Sequence, residues 1–355
     1  MCIRLSRALS EPASTIKREI LNAVFNIYDL PTTSPEMDDL DRTWLERTAG
    51  MISEHLPHVT SLLVSRHGHL AFERYFGIQM DEPQDTQSVT KSLVSLLIGV
   101  AVKRGILRVD QPILQDWSYA ASVINDPRWH QVTVGHLLTM TSGLPSEITD
   151  PTYDDAWFLN SDPLRFTLEQ TLQTEPGEAF HYSNAGTHLL GALLAHTVKQ
   201  SLDDFAQEVL LTQLGIPRRP WAKDAQGRVW GSGMLYLTPR EMLRLGQLVL
   251  QEGWWQGKSV LPAAWISQMT CLRSKGYTFM DGLPGYGWLW WLPGPDEIPG
   301  FYATGYGGQY IAVFPTLGLV VVMTGQVNDH PNHRYFIRPP AKVRSGRGCG
   351  CRGRQ

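Results

Sequence analysis

Ser88 and Lys91 are the residues of this 355-residue chain best placed to do chemistry. They lie in Thr86-Gln87-Ser88-Val89-Thr90-Lys91-Ser92-Leu93, at the head of an apolar run that continues to Val102. Residues three apart share a helix face, so the hydroxyl and the amine meet. Free backbone N–H groups at a helix start favour negative charge, so they assist a developing oxyanion and disfavour an ammonium. Burial pulls a lysine below its usual pKa of about 10.4. A neutral Lys91 then accepts the Ser88 proton, which activates the serine as a nucleophile. The alternative is a surface lysine on an ordinary helix, and the pair alone does not exclude it. A second copy of the spacing, Ser14 and Lys17, sits in a polar segment with no apolar helix behind it and is read as incidental.

Two more boxes bear on the choice. Pro176-Gly177-Glu178-Ala179-Phe180-His181-Tyr182-Ser183-Asn184 holds a Tyr-x-Asn. A tyrosine brought to Ser88 shuttles protons as phenol or phenolate. Asn184 holds the lysine amine or a substrate carbonyl by hydrogen bonds. The third box, Phe301-Tyr302-Ala303-Thr304-Gly305-Tyr306-Gly307-Gly308-Gln309, has glycines that let a substrate approach the backbone. There the N–H of Tyr306 is expected to join that of Ser88 as an oxyanion hole beside Gly305. Taken singly, the second box also reads as a turn before a helix, and the third as a Gly-rich hairpin.

In this order and at these separations, the boxes resemble the class C β-lactamase and penicillin-binding-protein superfamily of serine hydrolases. Family VIII esterases and 6-aminohexanoate-dimer-hydrolase-like enzymes look most similar. His136-Leu137-Leu138-Thr139-Met140-Thr141-Ser142-Gly143-Leu144 and Gly231-Ser232-Gly233-Met234-Leu235-Tyr236-Leu237-Thr238-Pro239-Arg240 carry the likeness further, from about Ser61 to Asn332. The resemblance implies Ser88 as nucleophile, Lys91 and Tyr182 as acid/base pair, and Asn184 as ligand of lysine or substrate. It also implies a small-molecule ester or amide substrate and no cofactor or metal. One departure matters. The third box of β-lactamases and D-alanyl peptidases opens with Lys or His, whereas here Ala303 precedes Thr304-Gly305. Alanine forms no charge-assisted bond to a substrate carboxylate, so those two activities rank below ester or amide hydrolysis. A catalytically silent scaffold of the same fold is the other reading.

The elements that must position these boxes follow from pattern. Ser61–Ser65 and His69–Phe76 flank Arg66-His67-Gly68 as a hairpin, and a helix spans about 38–55. Helical periodicity dominates 106–217, with clear stretches at Leu189–Ala195 and Leu202–Leu214. Phe301–Thr304, Gln309–Phe314 and Leu319–Thr324 read as an antiparallel meander. The expected fold is α+β: an antiparallel sheet flanked by helices, built from 1–105 with 218–337, plus a helical insertion at 106–217. The site falls at their junction. Trp288, Trp290 and Trp291 are either a wall of the substrate pocket or core aromatics on a strand. Asp154, Asp155 and Trp157 either shape the pocket rim or mark an aspartate N-cap. His136 and His181 lack an acid partner in the sequence and are read as structural.

Composition sets the outer bounds. The net charge of −3 conceals a basic tail, 338–355, with six basic residues and no acid; the remainder carries 25 basic against 34 acidic residues, a net −9. An acidic body argues against a nucleic-acid partner. The Gly/Arg tail cannot form an apolar face and is expected to be disordered. Four scattered cysteines make no disulfide framework and no zinc spacing. The run before Leu30 is broken by Asn22, Asn26 and Asp29, so no leader or membrane span is expected, and a cytoplasmic setting is.

Overall fold

The computed structural model describes residues 29–277 and 283–326. The Gly/Arg tail, the Ser14/Lys17 pair, Cys2, Cys349 and Cys351 lie outside the described residues. Helix α1 (Arg42–His55) starts where Asp41 accepts the Trp44 N–H at 3.2 Å. Strands β1 (Val59–Arg66) and β2 (His69–Tyr75) form the expected hairpin. Its turn residues His67 and Gly68 take φ of 51° and 86°, the left-handed pair that a tight two-residue turn requires.

Helix α2 (Val89–Lys103) follows, apolar nearly all round and buried from Val89 through Ala101. Helix α3 (Pro151–Phe158) and helix α4 (Asn184–Val198) belong to the strand-poor middle of the chain, with shorter helices at Ser118–Val123, Val134–Leu138, Pro163–Leu168 and Leu202–Ala206. Their starts are written in the sequence. Asp150, Asp162, Ser183 and Ser201 each accept a first-turn N–H, and proline opens two of them. Helix α5 (Pro239–Leu250) begins with a Thr238/Glu241 capping box.

Short strands β3 (Ser274–Lys275), β4 (Gly285–Tyr286) and β5 (Trp291–Leu292) precede the meander β6 (Phe301–Gly305), β7 (Gln309–Phe314) and β8 (Leu319–Gly325). These eight strands make one antiparallel sheet in the order β2-β1-β8-β7-β6-β5-β4-β3. The early hairpin therefore pairs with the last strand. At that seam the hydroxyls of Thr60 and Ser61 bond Thr324 Oγ1 at 2.8 and 2.6 Å, which satisfies three buried polar groups. Every residue of β1 and β8 is buried. Helix α5 covers one face: Gln247 Nε2 reaches Ser65 Oγ at 2.6 Å, and a methyl on Gly246 would come within 2.6 Å of Val320. Helix α2 packs on β6 and β7 on one side and on α4 on the other.

This is the expected antiparallel sheet flanked by helices. Residues 106–217 add no strand to that sheet, and on this ground we propose them as the helical insertion. One hydrophobic cluster runs through both parts, from Val64 and Phe314 to Leu189 and Leu210, so they share a core. Among the described residues no helix is long and apolar enough to cross a membrane.

Candidate active site

The head of α2 is held by a strained turn. Gln87 takes φ of 48°, a left-handed conformation that costs a non-glycine residue about 1–2 kcal/mol. Asp85 offsets this by accepting the Gln87 backbone N–H at 2.9 Å and its side-chain amide at 2.6 Å. The helical bonds begin one residue later, as the N–H groups of Val89, Thr90 and Lys91 return to Thr86, Gln87 and Ser88. Serine at this position ordinarily caps the helix with its own oxygen. Ser88 makes no such cap bond; its Oγ lies 2.8 Å from Lys91 Nζ instead.

Lys91 is buried, at 1% exposure. Its amine donates to Asn184 Oδ1 at 2.7 Å and to the Ser232 carbonyl at 2.8 Å. A neutral amine has two protons and one lone pair. The third contact of Lys91 Nζ is to Ser88 Oγ at 2.8 Å; once the amine is neutral, two protons serve Asn184 and Ser232 and a lone pair is left for Ser88. Burial pulls the lysine down to about 8, against the opposing pull of Glu147 and Asp154.

Tyr182 precedes α4 and shares the lining of one cavity with Ser88. Burial, reinforced by the Glu147 charge, holds its phenol well above the usual value, so it stands as a phenol rather than a phenolate. Its ring stacks on Trp291 with centroids 5.7 Å apart, and Lys91 Nζ sits 5.0 Å from its own centroid. The Tyr182 backbone N–H donates to Tyr277 Oη at 3.2 Å, and Ser146 Oγ bonds that same oxygen at 2.8 Å. Gly305 closes the other side. A methyl there would fall 2.6 Å from the Thr86 carbonyl, so only glycine lets β6 run against the Ser88 turn.

Ser88, Tyr182, Asn184, Gly305 and Tyr306 line one cavity of about 740 Å³, with Lys91 buried behind them. All six residues expected from the sequence are therefore brought together. Trp157, Phe158, Trp230, Tyr277 and Trp291 supply aromatic walls. Both readings of the tryptophan cluster hold in part: Trp291 lines the cavity, and Trp288 and Trp290 are core. Asp154, Asp155 and Trp157 do shape the rim, whereas the cap of α3 is Asp150. Among the described lining residues there are three carboxylates, Glu147, Asp154 and Asp155, and no lysine or arginine. Ala303 is fully buried in β6 and does not line the cavity.

Sequence reasoning missed Glu147. Both its oxygens accept the Asn184 backbone N–H, at 3.1 and 3.0 Å. Burial raises its carboxyl to about 7 even though Lys91 pulls it down. Asp154 Oδ1 accepts the Asn184 side-chain N–H at 3.2 Å. His136 sits in a capping box with Thr133, and the His181 backbone N–H donates to Met140; burial lowers the pKa of both imidazoles. A second buried acid–base pair also went unforeseen. His188 Nε2 donates to Asp224 Oδ2 at 3.2 Å, and neither side chain is exposed.

An antiparallel sheet flanked by helices, with a serine and a buried lysine at the head of an apolar helix, defines a β-lactamase/transpeptidase-like fold. The Beta-lactamase family model matches residues 54–341, and the chain belongs to that family. An uncharacterised protein of Alkalihalophilus pseudofirmus is 23% identical over 306 residues, spanning 74% of this chain and 82% of its own length. A 6-aminohexanoate-dimer-hydrolase-like structure from Bacillus anthracis superposes with a TM-score of 0.68 at 22% identity, covering 81% of this chain and 77% of that one. A D-amino acid amidase from Ochrobactrum anthropi gives 0.61 at 18% identity, covering 79% and 93%.

Proposed function

We propose that the protein is a serine hydrolase that cleaves ester or amide bonds of small molecules through an acyl-enzyme on Ser88. The observation that carries this reading is the buried Lys91 amine, held by Asn184 Oδ1 and the Ser232 carbonyl with its third contact on Ser88 Oγ at 2.8 Å. Lys91 takes the Ser88 proton as Oγ attacks the carbonyl carbon. The oxyanion forms against the N–H groups of Ser88 and Tyr306. Tyr182 gives its phenolic proton to the leaving group and recovers one from the Lys91 ammonium. Water then attacks the acyl-enzyme by the same relay in reverse. The family membership supports hydrolysis, and the structures named above include one described as a 6-aminohexanoate-dimer hydrolase and one described as an amidase.

The lining favours substrates without a carboxylate. Asp154, Asp155 and Glu147 line the cavity with no lysine or arginine among the described lining residues, which disfavours an anionic group there. This ranks β-lactams and D-alanyl stems below neutral esters and amides. The test is hydrolysis of p-nitrophenyl butyrate and of nitrocefin by the wild type and Ser88→Ala. The expected result is ester turnover that vanishes in the variant, with nitrocefin at least about tenfold poorer in kcat/KM. Nitrocefin turnover equal to that of the ester overturns the specificity reading. Ester turnover unchanged in Ser88→Ala overturns the nucleophile, and no turnover by folded wild type leaves the silent scaffold.

A further inference from the structure

We propose that Glu147 is a positioning residue for the Lys91 amine: it anchors Asn184, whose side-chain carbonyl holds that amine, and its charge balances the ammonium form. The inference deepens the reading of Ser88 as an acylated nucleophile and rests on it. Three links that meet at Asn184 carry it. The Glu147 carboxylate accepts the Asn184 backbone N–H through both oxygens. Asn184 Oδ1 accepts from Lys91 Nζ at 2.7 Å. Asn184 Nδ2 donates to Asp154 Oδ1 at 3.2 Å. A carboxylate only accepts, so the Asp154 bond forces the NH2 end of the amide toward it and leaves Oδ1 for the lysine. One acid fixes the backbone of Asn184 and the other fixes the sense of its amide.

Asn184 is the first residue of α4, a helix of fifteen residues, where an anion is already favoured. Glu147 could therefore be a mere helix anchor. Its second relation is what a helix anchor lacks: through Asn184 it is one residue removed from the Lys91 amine, and each of the two charges perturbs the other. Lys91 faces Glu147, Asp154 and the Tyr182 phenol; Glu147 also faces Asp154, Tyr153 and Tyr286, which are phenols held neutral by burial. Glu147 and Asp154 thus act in the same direction on the lysine: both favour its charged form. Removing either carboxylate lowers the pH at which Lys91 becomes a base.

The test is the pH profile of kcat/KM for p-nitrophenyl butyrate, with the rate of fluorophosphonate labelling followed in parallel. Glu147→Gln keeps the size and one acceptor for the Asn184 N–H while removing the charge. Its acid limb should move to lower pH by about one unit or more, the shift expected from losing an opposite charge at this range. Asp154→Asn should move it the same way by less. Glu147→Asp keeps the charge on a shorter arm, so its limb should stay near that of the wild type while the plateau falls several-fold. A lowered plateau with an unmoved limb in Glu147→Gln makes Glu147 a helix anchor only and overturns the inference. If that variant does not fold, a wild-type plateau in Glu147→Asp overturns it. Wild type that neither turns over ester nor takes the label defeats the acyl-enzyme reading and this inference with it.

Discussion

Two buried acid–base pairs hang on helix α4, one turn apart. At its first residue, Asn184 joins Lys91 to Glu147 and Asp154. One turn on, His188 joins Asp224. On paper the second pair looks more like a catalyst, because an imidazole held by a carboxylate is a familiar base. The structure separates them by what each faces. His188 Nδ1 accepts the Gly231 N–H at 3.4 Å, so both ring nitrogens are used. Asp224 also accepts from Arg228 Nε at 2.8 Å and from the backbone N–H groups of Arg228 and Gln226, each at 2.9 Å. The His188 ring then packs against Trp230 and Trp157, with centroids 4.7 and 5.9 Å away, and these two rings stand between it and the cavity. The Lys91 amine spends two contacts on Asn184 and Ser232 and its third on Ser88 Oγ. On the proposed reading, pairing builds a scaffold in one place and a reactive centre in the other; the difference is a third lysine contact that falls on a serine lining the cavity.

Substitutions at the two pairs should therefore diverge. Lys91→Ala removes the base and should lower kcat for ester hydrolysis by about 10²–10⁴-fold across the pH range, read by steady-state kinetics. A loss below tenfold would erase the contrast. His188→Ala should leave kcat of the folded enzyme within about tenfold but lower its stability by about 1–3 kcal/mol, because Asp224 loses a donor in the interior. Denaturant unfolding beside kinetics checks both parts. A variant that unfolds no more easily yet loses catalysis would move the reactive centre to the wrong pair. The pH-limb shift of Glu147→Gln described above is the smallest of these effects and the sharpest, since only the pair around Lys91 is expected to show it.

How much of this was legible in the sequence depends on the range of each interaction. Ser88 and Lys91 meet because three residues along a helix is a fixed distance, and Tyr182 and Asn184 sit where a serine cap starts a helix. Those are local rules. The meander of β6, β7 and β8 was readable to within a residue or two for the same reason, being short alternations cut by glycine and a Pro-Thr-Leu turn. Glu147 lies 37 residues before Asn184, in a segment without periodicity, and nothing near it announces the contact. Asp154 looked like a helix cap because aspartate so often is one, but Asp150 took that place and left Asp154 one turn inside, facing Asn184. The His188–Asp224 pair spans 36 residues and is invisible to any local pattern. Strands β3, β4 and β5 have two residues each, too few to show a period.

The central claim is that Ser88 is a nucleophile because a buried, committed lysine faces it. The most direct measurement is intact-protein mass spectrometry after treatment with a fluorophosphonate, on the wild type, Ser88→Ala and Lys91→Ala. The account predicts one phosphonyl group on the wild type, mapped by peptide digestion to Ser88, none on Ser88→Ala, and slowed labelling of Lys91→Ala. Equal labelling of all three proteins, or a modified residue other than Ser88, would contradict it.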